Sequence, residues 1–178
     1  PYAIQAPGET GLEEPKTVMP FFNIAAVGDG VLFAPTGEHT PTTPYLRGQR
    51  LYAIDAHTGK EIWSIMGYWS NVNALAEGTL FTTNTYDGCA YAFAKGKTAT
   101  TVEVSSDVAA KGSSILIKGT VMDMSPAQPN TPAVSDDSMT AWMEYLHMQQ
   151  PKPTNTTGVP VKLTAVDQAG QVTEIGTV

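Results

Sequence analysis

The sequence has little positive charge, few charged residues of either sign and one cysteine. Its 178 residues include 10 Lys and Arg against 17 Asp and Glu, which gives a formal net charge of -7. These cations are too few to neutralise a run of phosphates. We therefore expect neither a nucleic-acid partner nor binding to an anionic membrane surface. Cys89 alone cannot form an internal disulfide. No Cys/His spacing is typical of a zinc site.

Long apolar runs are also missing from the sequence. No run of eighteen apolar residues occurs, so we expect no membrane insertion by this segment. The stretch PYAIQAPGET at the N-terminus has neither an initiator methionine nor a signal-peptide pattern, and Val178 falls inside a predicted strand. We therefore expect a piece of a longer chain, or a processed chain.

The sequence is rich in glycine and proline, and its first half contains a repeat. GVLFA (30–34) matches GTLFT (78–82), and YAI (52–54) matches YAF (91–93). Each copy predicts a strand, a tight turn and two further strands, and in the first copy a fourth strand over 60–65 follows. Four antiparallel strands in a repeat of about 40 residues are the unit of a β-propeller blade.

The stretch LYAIDAHTGKEIW (51–63) predicts how two blades pack. The Thr58-Gly59 turn reverses the chain, so that Trp63 projects from the outer strand and covers the seam between adjacent blades. Asp55, Thr58, Gly59 and Trp63 are therefore the predicted structural residues of blade docking. The alternative is that Trp63 is a core residue of a different β-sandwich, and the repeat favours the blade.

These residues carry a resemblance to a known family. The pattern LYAID followed by TGKEIW resembles the repeat of pyrroloquinoline-quinone-type, quinoprotein-like β-propellers, a family that includes quinoprotein dehydrogenases and outer-membrane assembly scaffolds. The resemblance covers about residues 21–97. The longer stretch GEHTPTTPYLRGQRLYAIDAHTGKEIW, followed by NTYDGCAYAFAKG and the segment beyond it, also resembles archaeal cell-surface proteins that join such a propeller to an immunoglobulin-like module. This resemblance implies an extracellular location and places residues 1–98 in the C-terminal blades of a propeller.

Residues 99–178 predict a second all-β module. Four stretches alternate apolar and polar residues, as half of an immunoglobulin-like β-sandwich does: TTVEVSSD, ILIKGTVMDMS, VPVKLTAVD and VTEIGTV. The missing strands are either truncated or supplied by another molecule. The predicted fold is therefore all-β, with about two four-stranded blades followed by an incomplete sandwich.

A helical insertion over 135–149 is the one predicted helix. Ser135 is its expected N-cap, and Asp136 and Asp137 stand in its first turn, where the helix dipole favours anions. An apolar stripe follows i, i+3, i+4, i+7 spacing and consists of Met139, Trp142, Met143 and Leu146. The stripe either packs on the sandwich or exposes Trp142, Met139 and Met143 as a partner-binding surface.

The sequence predicts no catalytic, cofactor-binding or metal-binding residue, and we expect no cofactor. His39, His57 and His147 share no metal-binding spacing, and a lone Cys89 is expected to be a buried small hydrophobe. Quinone-dependent dehydrogenases often carry a vicinal disulfide near the cofactor, and this segment has no second cysteine. Asn155-Thr156-Thr157 is a glycosylation acceptor in a polar loop, which fits an exported chain.

Two functions follow from these patterns. The first is a non-enzymatic extracellular surface protein that acts in adhesion, in envelope structure or in binding a protein or glycan partner, or other subunits of a larger assembly. The second is part of a quinone-dependent dehydrogenase, an oxidoreductase whose cofactor-binding blades lie outside this chain. The composition and the modular β-structure favour the first.

Overall fold

The computed structural model describes residues 21, 26–37, 48–126 and 130–178. In these residues the chain forms one helix and four small antiparallel sheets, which confirms the all-β class. These residues form two compact units. The first unit holds the described residues up to Lys95 together with Met139–Pro153, and the second unit holds those of Gly96–Ser138 together with Thr154–Val178. The boundary therefore falls inside the helix.

The first sheet of the first unit is a four-stranded meander with the strand order β1-β2-β3-β4. Its strands are β1 (Ala26–Gly28), β2 (Val31–Pro35), β3 (Arg50–Asp55) and β4 (Glu61–Met66). Asp29 and Gly30 join β1 to β2 with φ angles of 51° and 73°. Two consecutive residues with positive φ match the twist of a tight hairpin, which explains the Asp-Gly sequence at this turn.

The second sheet of the first unit has three strands among the described residues. They are β5 (Trp69–Ala76), β6 (Thr79–Asn84) and β7 (Cys89–Ala94), paired in that order. Glu77 and Gly78 join β5 to β6 with φ angles of 49° and 73°, which repeats the first turn. These are the three strands that the repeat predicts for this copy. A fourth strand, which the expectation of two four-stranded blades requires, is not found in the described residues, because the next strand, β8 (Thr98–Val104), pairs with β9 (Ile117–Asp123) in the second unit.

The core of the first unit lies between its two sheets. Leu51, Ile65, Trp69 and Leu80 are fully buried, and each such side chain stabilises the fold by about 1.5–3 kcal/mol relative to an exposed one. The Trp69 indole N–H donates to the Ile65 carbonyl at 3.2 Å, so burial leaves its polar atom paired. Gly67 has a φ of 150°, and a Cβ there would lie 2.7 Å from the Trp69 Nε1, so a larger residue would displace the ring.

The second unit contains a three-stranded and a two-stranded sheet. The order of the first is β10 (Thr131–Pro132), β9, β8, and the second pairs β11 (Lys162–Val166) with β12 (Val172–Thr177). Strands β8, β9, β11 and β12 overlap or fall within the four predicted stretches, and β10 lies between the second and third stretches, where no strand is predicted. The immunoglobulin-like arrangement stays a prediction.

Helix α1 (Asp136–His147) lies inside the predicted range, and its first turn differs from the expected N-cap. The Ser135 hydroxyl donates to the Thr157 carbonyl at 3.1 Å instead of accepting from the helix, and the Ser138 hydroxyl accepts from the Thr157 N–H at 2.9 Å. At the other end Gln149 has a φ of 55°, and the Gln150 N–H donates to the Glu144 carbonyl at 3.2 Å. The positive φ of Gln149 and this hydrogen bond across six residues end the helix.

Candidate binding surfaces

Trp63 lies between the two sheets of the first unit. Its ring centroid is 5.9 Å from that of Phe33, on β2 of its own sheet, and 5.5 Å from that of Phe93, on β7 of the other sheet. Phe93 also contacts the buried Trp69, with ring centroids 5.6 Å apart. A cluster of aromatic rings thus joins the two sheets. Blade docking in a propeller stays a prediction.

Asp55, Thr58 and Gly59 shape the β3–β4 turn. The Asp55 carboxylate accepts the backbone N–H of Thr58 at 2.7 Å and that of His57 at 2.9 Å. The pKa of Asp55 lies below its ordinary value. The main cause is the hydrogen bonds from Thr58, and the hydrogen bond from the His57 N–H contributes less. Gly59 has a φ of 71° and donates to the Asp55 carbonyl at 2.8 Å. These residues hold the hairpin that directs Trp63.

The β6–β7 turn, NTYDGC, repeats this geometry, which the sequence comparison missed. Asn84 takes the place of Asp55: its side-chain oxygen accepts the Tyr86 N–H at 3.1 Å, and its carbonyl accepts the Gly88 N–H at 2.9 Å. Gly88 has a φ of 69°. The spacing Asp/Asn-x-x-x-Gly is the signal that could have revealed the match. The repeat aligns β6 and β7 with β2 and β3. The β6–β7 turn is therefore compared with the segment between β2 and β3 and not with the β3–β4 turn that it matches.

The residues of the β6–β7 turn with reactive side chains form a hydrogen-bond network. The Tyr91 hydroxyl donates to the Asp87 carboxylate at 2.6 Å, and the same carboxylate accepts the Cys89 N–H at 2.8 Å. The pKa of Tyr91 is raised, mainly by burial and to a lesser extent by the hydrogen bond to Asp87. The phenol is therefore a hydrogen-bond donor at neutral pH and not a base. Cys89 is exposed, and the expectation of a buried thiol is therefore wrong. It begins β7 directly after the turn, and its thiol donates to the Asp87 carbonyl at 3.7 Å.

Helix α1 covers the outer edge of β4. The Ser64 N–H donates to the Thr140 hydroxyl oxygen at 2.9 Å, and the Met66 N–H donates to the Glu144 carboxylate at 3.2 Å. Two strand residues span about 6.8 Å and four helix residues rise about 6 Å, so residues i and i+4 of the helix match residues j and j+2 of the strand. The two side chains therefore pair the outward amides of an edge strand.

An ion pair anchors this edge. Arg50 on β3 forms a salt bridge with Glu144, and both side chains are mostly buried. The Arg50 Nε also donates to the Ser64 hydroxyl at 3.1 Å. The pattern Thr-x-x-x-Glu beside an apolar stripe was visible in the sequence, but its partner was not.

The apolar stripe of α1 is buried or half-buried. Met143 packs against the core cluster of the first unit, so for this residue the expectation of packing on the sandwich is corrected. Trp142 is 7% exposed and its ring contacts that of Tyr145, which agrees with the alternative in which the stripe is packed and not with the one in which it is exposed. Met139 is half-buried. A binding role for these three residues stays a prediction, and it would require the helix to move.

The three-stranded sheet of the second unit exposes one apolar face. Cross-strand partners share a face, and Val104 lies opposite Ile117 while Val102 lies opposite Gly119. Val102 is 71% exposed, Val104 49% and Ile117 36%. Val121, on the same face, is half-buried. We call these four residues the apolar face.

The opposite face of the same sheet is polar. Glu103 lies opposite Lys118, and the hydroxyls of Thr101 and Thr120 are 2.7 Å apart in a hydrogen bond. The sheet is thus amphipathic, as a sheet with one buried face is. Its apolar side is open to solvent.

Asn155 lies on the surface of the second unit. Its side chain is exposed and accepts a hydrogen bond from the Thr154 hydroxyl at 3.1 Å. The nearby backbone at Thr157 is fixed by its bonds to Ser135 and Ser138. An oligosaccharide transferase could reach this amide. Glycosylation itself stays a prediction.

Two kinds of site are absent from the residues that the structure describes. Over these ranges no cluster of three or more His, Cys, Asp and Glu side chains could hold a metal ion. No helix in the same ranges has both the length and the apolar composition needed to cross a bilayer.

Comparison with known proteins adds no family. Searches of protein-family models, of curated proteins and of solved structures each found no match for the chain. Its function is therefore inferred from its own side chains.

Proposed function

We propose that this chain is part of a non-enzymatic extracellular surface protein, and that it binds a protein partner through the apolar face. The observation that carries the proposal is the exposure of Val102, Val104 and Ile117 on one side of a sheet whose other side is polar. Contiguous exposed apolar side chains of this kind mark interaction sites in soluble proteins.

The chemistry of the apolar face favours a protein over a glycan. Its members are aliphatic and carry no side-chain hydrogen-bonding group, whereas sugar hydroxyls need donors and acceptors when they leave water. The charged side chain on this side of the three strands is Asp123, which lies opposite Thr98 at the end of the face. The complementary surface is therefore an uncharged apolar patch on a protein, such as the inner face of another sheet.

The proposed location draws on other features. The exposed Asn155 in a glycosylation acceptor fits a chain that has passed through an export pathway. The resemblance of the first half to propeller-containing surface proteins supports the same location. The turn networks around Asp55 and Asp87 bind the backbone of their own hairpins, which fits a structural function for these carboxylates.

Site-specific photo-cross-linking on intact cells tests the binding surface. A photoreactive residue at position 102 lies on the apolar face, and the same residue at position 103 lies on the polar face one position away. We expect a discrete adduct with a protein other than this chain from position 102 and none from position 103. Equal labelling of such a protein from both positions, or no such adduct from either, would contradict the proposed surface.

The location has a separate test. The protein on intact cells should be accessible to an added protease and to an antibody. The Asn155→Gln variant should lose a glycan mass that the Asn155-bearing protein carries. A Thr157→Ser variant is the matched control, because Ser keeps the acceptor pattern. A protein that is protected until the cells are lysed would refute the extracellular proposal.

A further inference from the structure

Strand β8 presents an unpaired backbone edge. The Ser105 N–H donates to the Leu116 carbonyl and the Met124 N–H donates to the Lys97 carbonyl, each at 2.9 Å. In an antiparallel pair the hydrogen-bonded residues alternate, so the odd-numbered residues of β8 face β9. The N–H and C=O groups of Thr98, Thr100, Val102 and Val104 therefore point away from the sheet. Within the described residues β8 pairs with β9 alone, and all seven of its residues are exposed.

The features that usually protect an edge strand are missing from β8. Its sequence, TATTVEV, contains neither proline nor lysine, and its register with β9 runs without a bulge. Glu103 is its single charged residue. Such an edge is a template for strand addition. The edge of β4, by contrast, is covered by Thr140 and Glu144 of the helix.

We propose that β8 pairs with β8 of a second copy of this chain. The strand spans 98–104, so an antiparallel pairing about a two-fold axis through Thr101 uses its whole length. Thr98 then pairs with Val104 and Thr100 with Val102, and these are the residues whose backbone groups face outward. This register forms about eight new backbone hydrogen bonds. A two-fold arrangement uses the same surface on both copies and closes at the dimer.

Charge favours this register. Glu103 of one copy lies opposite Ala99 of the other, so the two carboxylates do not face each other. The pairing joins two three-stranded sheets into one sheet of six strands. Val102 and Val104 of both copies then lie on one continuous apolar side, and the exposed apolar area that one copy presents is doubled.

This inference goes beyond the proposed function and does not depend on it. The second copy binds the edge of β8, whereas the partner of the proposed function binds the apolar face. A chain that binds no partner can still dimerise, and a chain that stays a monomer can still bind a partner. The two experiments therefore fail separately.

Sedimentation of the full chain over a range of concentrations tests the inference, and two charge variants at one position test its register. Ala99→Glu places a carboxylate opposite Glu103 of the second copy, and Ala99→Lys places a cation there. The dimer has two such pairs by symmetry, so we expect the dimer dissociation constant to rise about two- to thirtyfold in Ala99→Glu and to fall in Ala99→Lys.

A third variant removes the edge itself. Val102→Pro deletes an outward N–H and leaves the hydrogen bonds to β9 in place, because proline is tolerated where the N–H faces away from the ladder. We expect a monomer with unchanged circular dichroism. The charge variants keep the test decisive if proline unfolds the sheet. A wild-type chain that is monomeric at millimolar concentration, or equal effects of Glu and Lys at position 99, would overturn the proposal.

Discussion

Trp63 of β4 stacks against Phe93 of β7, with ring centroids 5.5 Å apart and ring planes at 29°. The two residues belong to different sheets, and Phe33 contacts the Trp63 ring as well. The indole is thus held between aromatic partners from both sheets. Aromatic pairs in such arrangements contribute about 0.5–1.5 kcal/mol beyond the area they bury.

Removal of the Trp63 ring should weaken the packing of the two sheets. Because Trp63 is half-buried, we expect Trp63→Ala to lower the free energy of unfolding by about 2–4 kcal/mol and Trp63→Phe by less. Urea denaturation followed by circular dichroism measures both. Phe81→Ala is the control, because Phe81 is 43% exposed and should change the stability by under about 1 kcal/mol. Equal effects of Trp63→Ala and Phe81→Ala would contradict the contact.

The helix cover of β4 can be tested one amide at a time. Thr140→Val removes the acceptor of the Ser64 N–H. Glu144→Ala removes that of the Met66 N–H and also takes the carboxylate partner away from the mostly buried Arg50, which keeps its bond to Ser64. We expect losses of about 1 kcal/mol for the first and about 1–3 kcal/mol for the second. Hydrogen exchange should accelerate at Ser64 in Thr140→Val and at Met66 in Glu144→Ala. Asp137→Asn, at an exposed helix position, should change neither rate.

Local signals in the sequence predicted the local structure well. The hairpin turns follow from Gly30 and Gly78, because Gly adopts positive φ without strain, and at the first turn the preceding Asp29 tolerates it as well. The helix follows from its apolar period and from Pro151 beyond its end. Each of these signals depends on a few consecutive residues.

Contacts between distant segments were not predictable in the same way. The stripe containing Met143 shows that one helix face is buried, but its period is the same whichever sheet covers it. The match between Thr140 and the Ser64 amide depends on where the helix lies, and no local pattern encodes that. The continuation of the chain into β8, instead of a fourth strand in the second sheet, likewise depends on the competing partner β9.

The Asp55 turn makes a prediction about acid stability. Hydrogen bonds from Thr58, and then from His57, lower the pKa of Asp55 in the folded chain below its ordinary 3.8. The stabilisation is therefore complete above 3.8 and is lost as the pH falls through the lower folded value. Asp55→Asn should keep the turn, as Asn84 does in the β6–β7 hairpin, and should lose this part of the acid dependence. Asp55→Ala should melt at a lower temperature than Asp55→Asn at neutral pH. Melting temperatures against pH measure both, and identical acid profiles for the wild type and Asp55→Asn would refute the assignment.

We expect His147 to make the stability depend on pH in a second range, at higher pH than that of Asp55. The imidazole is half-buried in the last turn of α1, with its ring 6.5 Å from that of Tyr91, and burial lowers its pKa below the ordinary 6.5. As the pH falls below 6.5 the unfolded chain takes up a proton before the folded chain does, so the stability should fall until the folded imidazole is itself protonated. His147→Gln should flatten this part of the profile in urea denaturation. Tyr91→Phe removes the hydroxyl and keeps the ring beside His147, so it should lower the whole profile and retain the slope. A slope that persists in His147→Gln would assign the titration to another group.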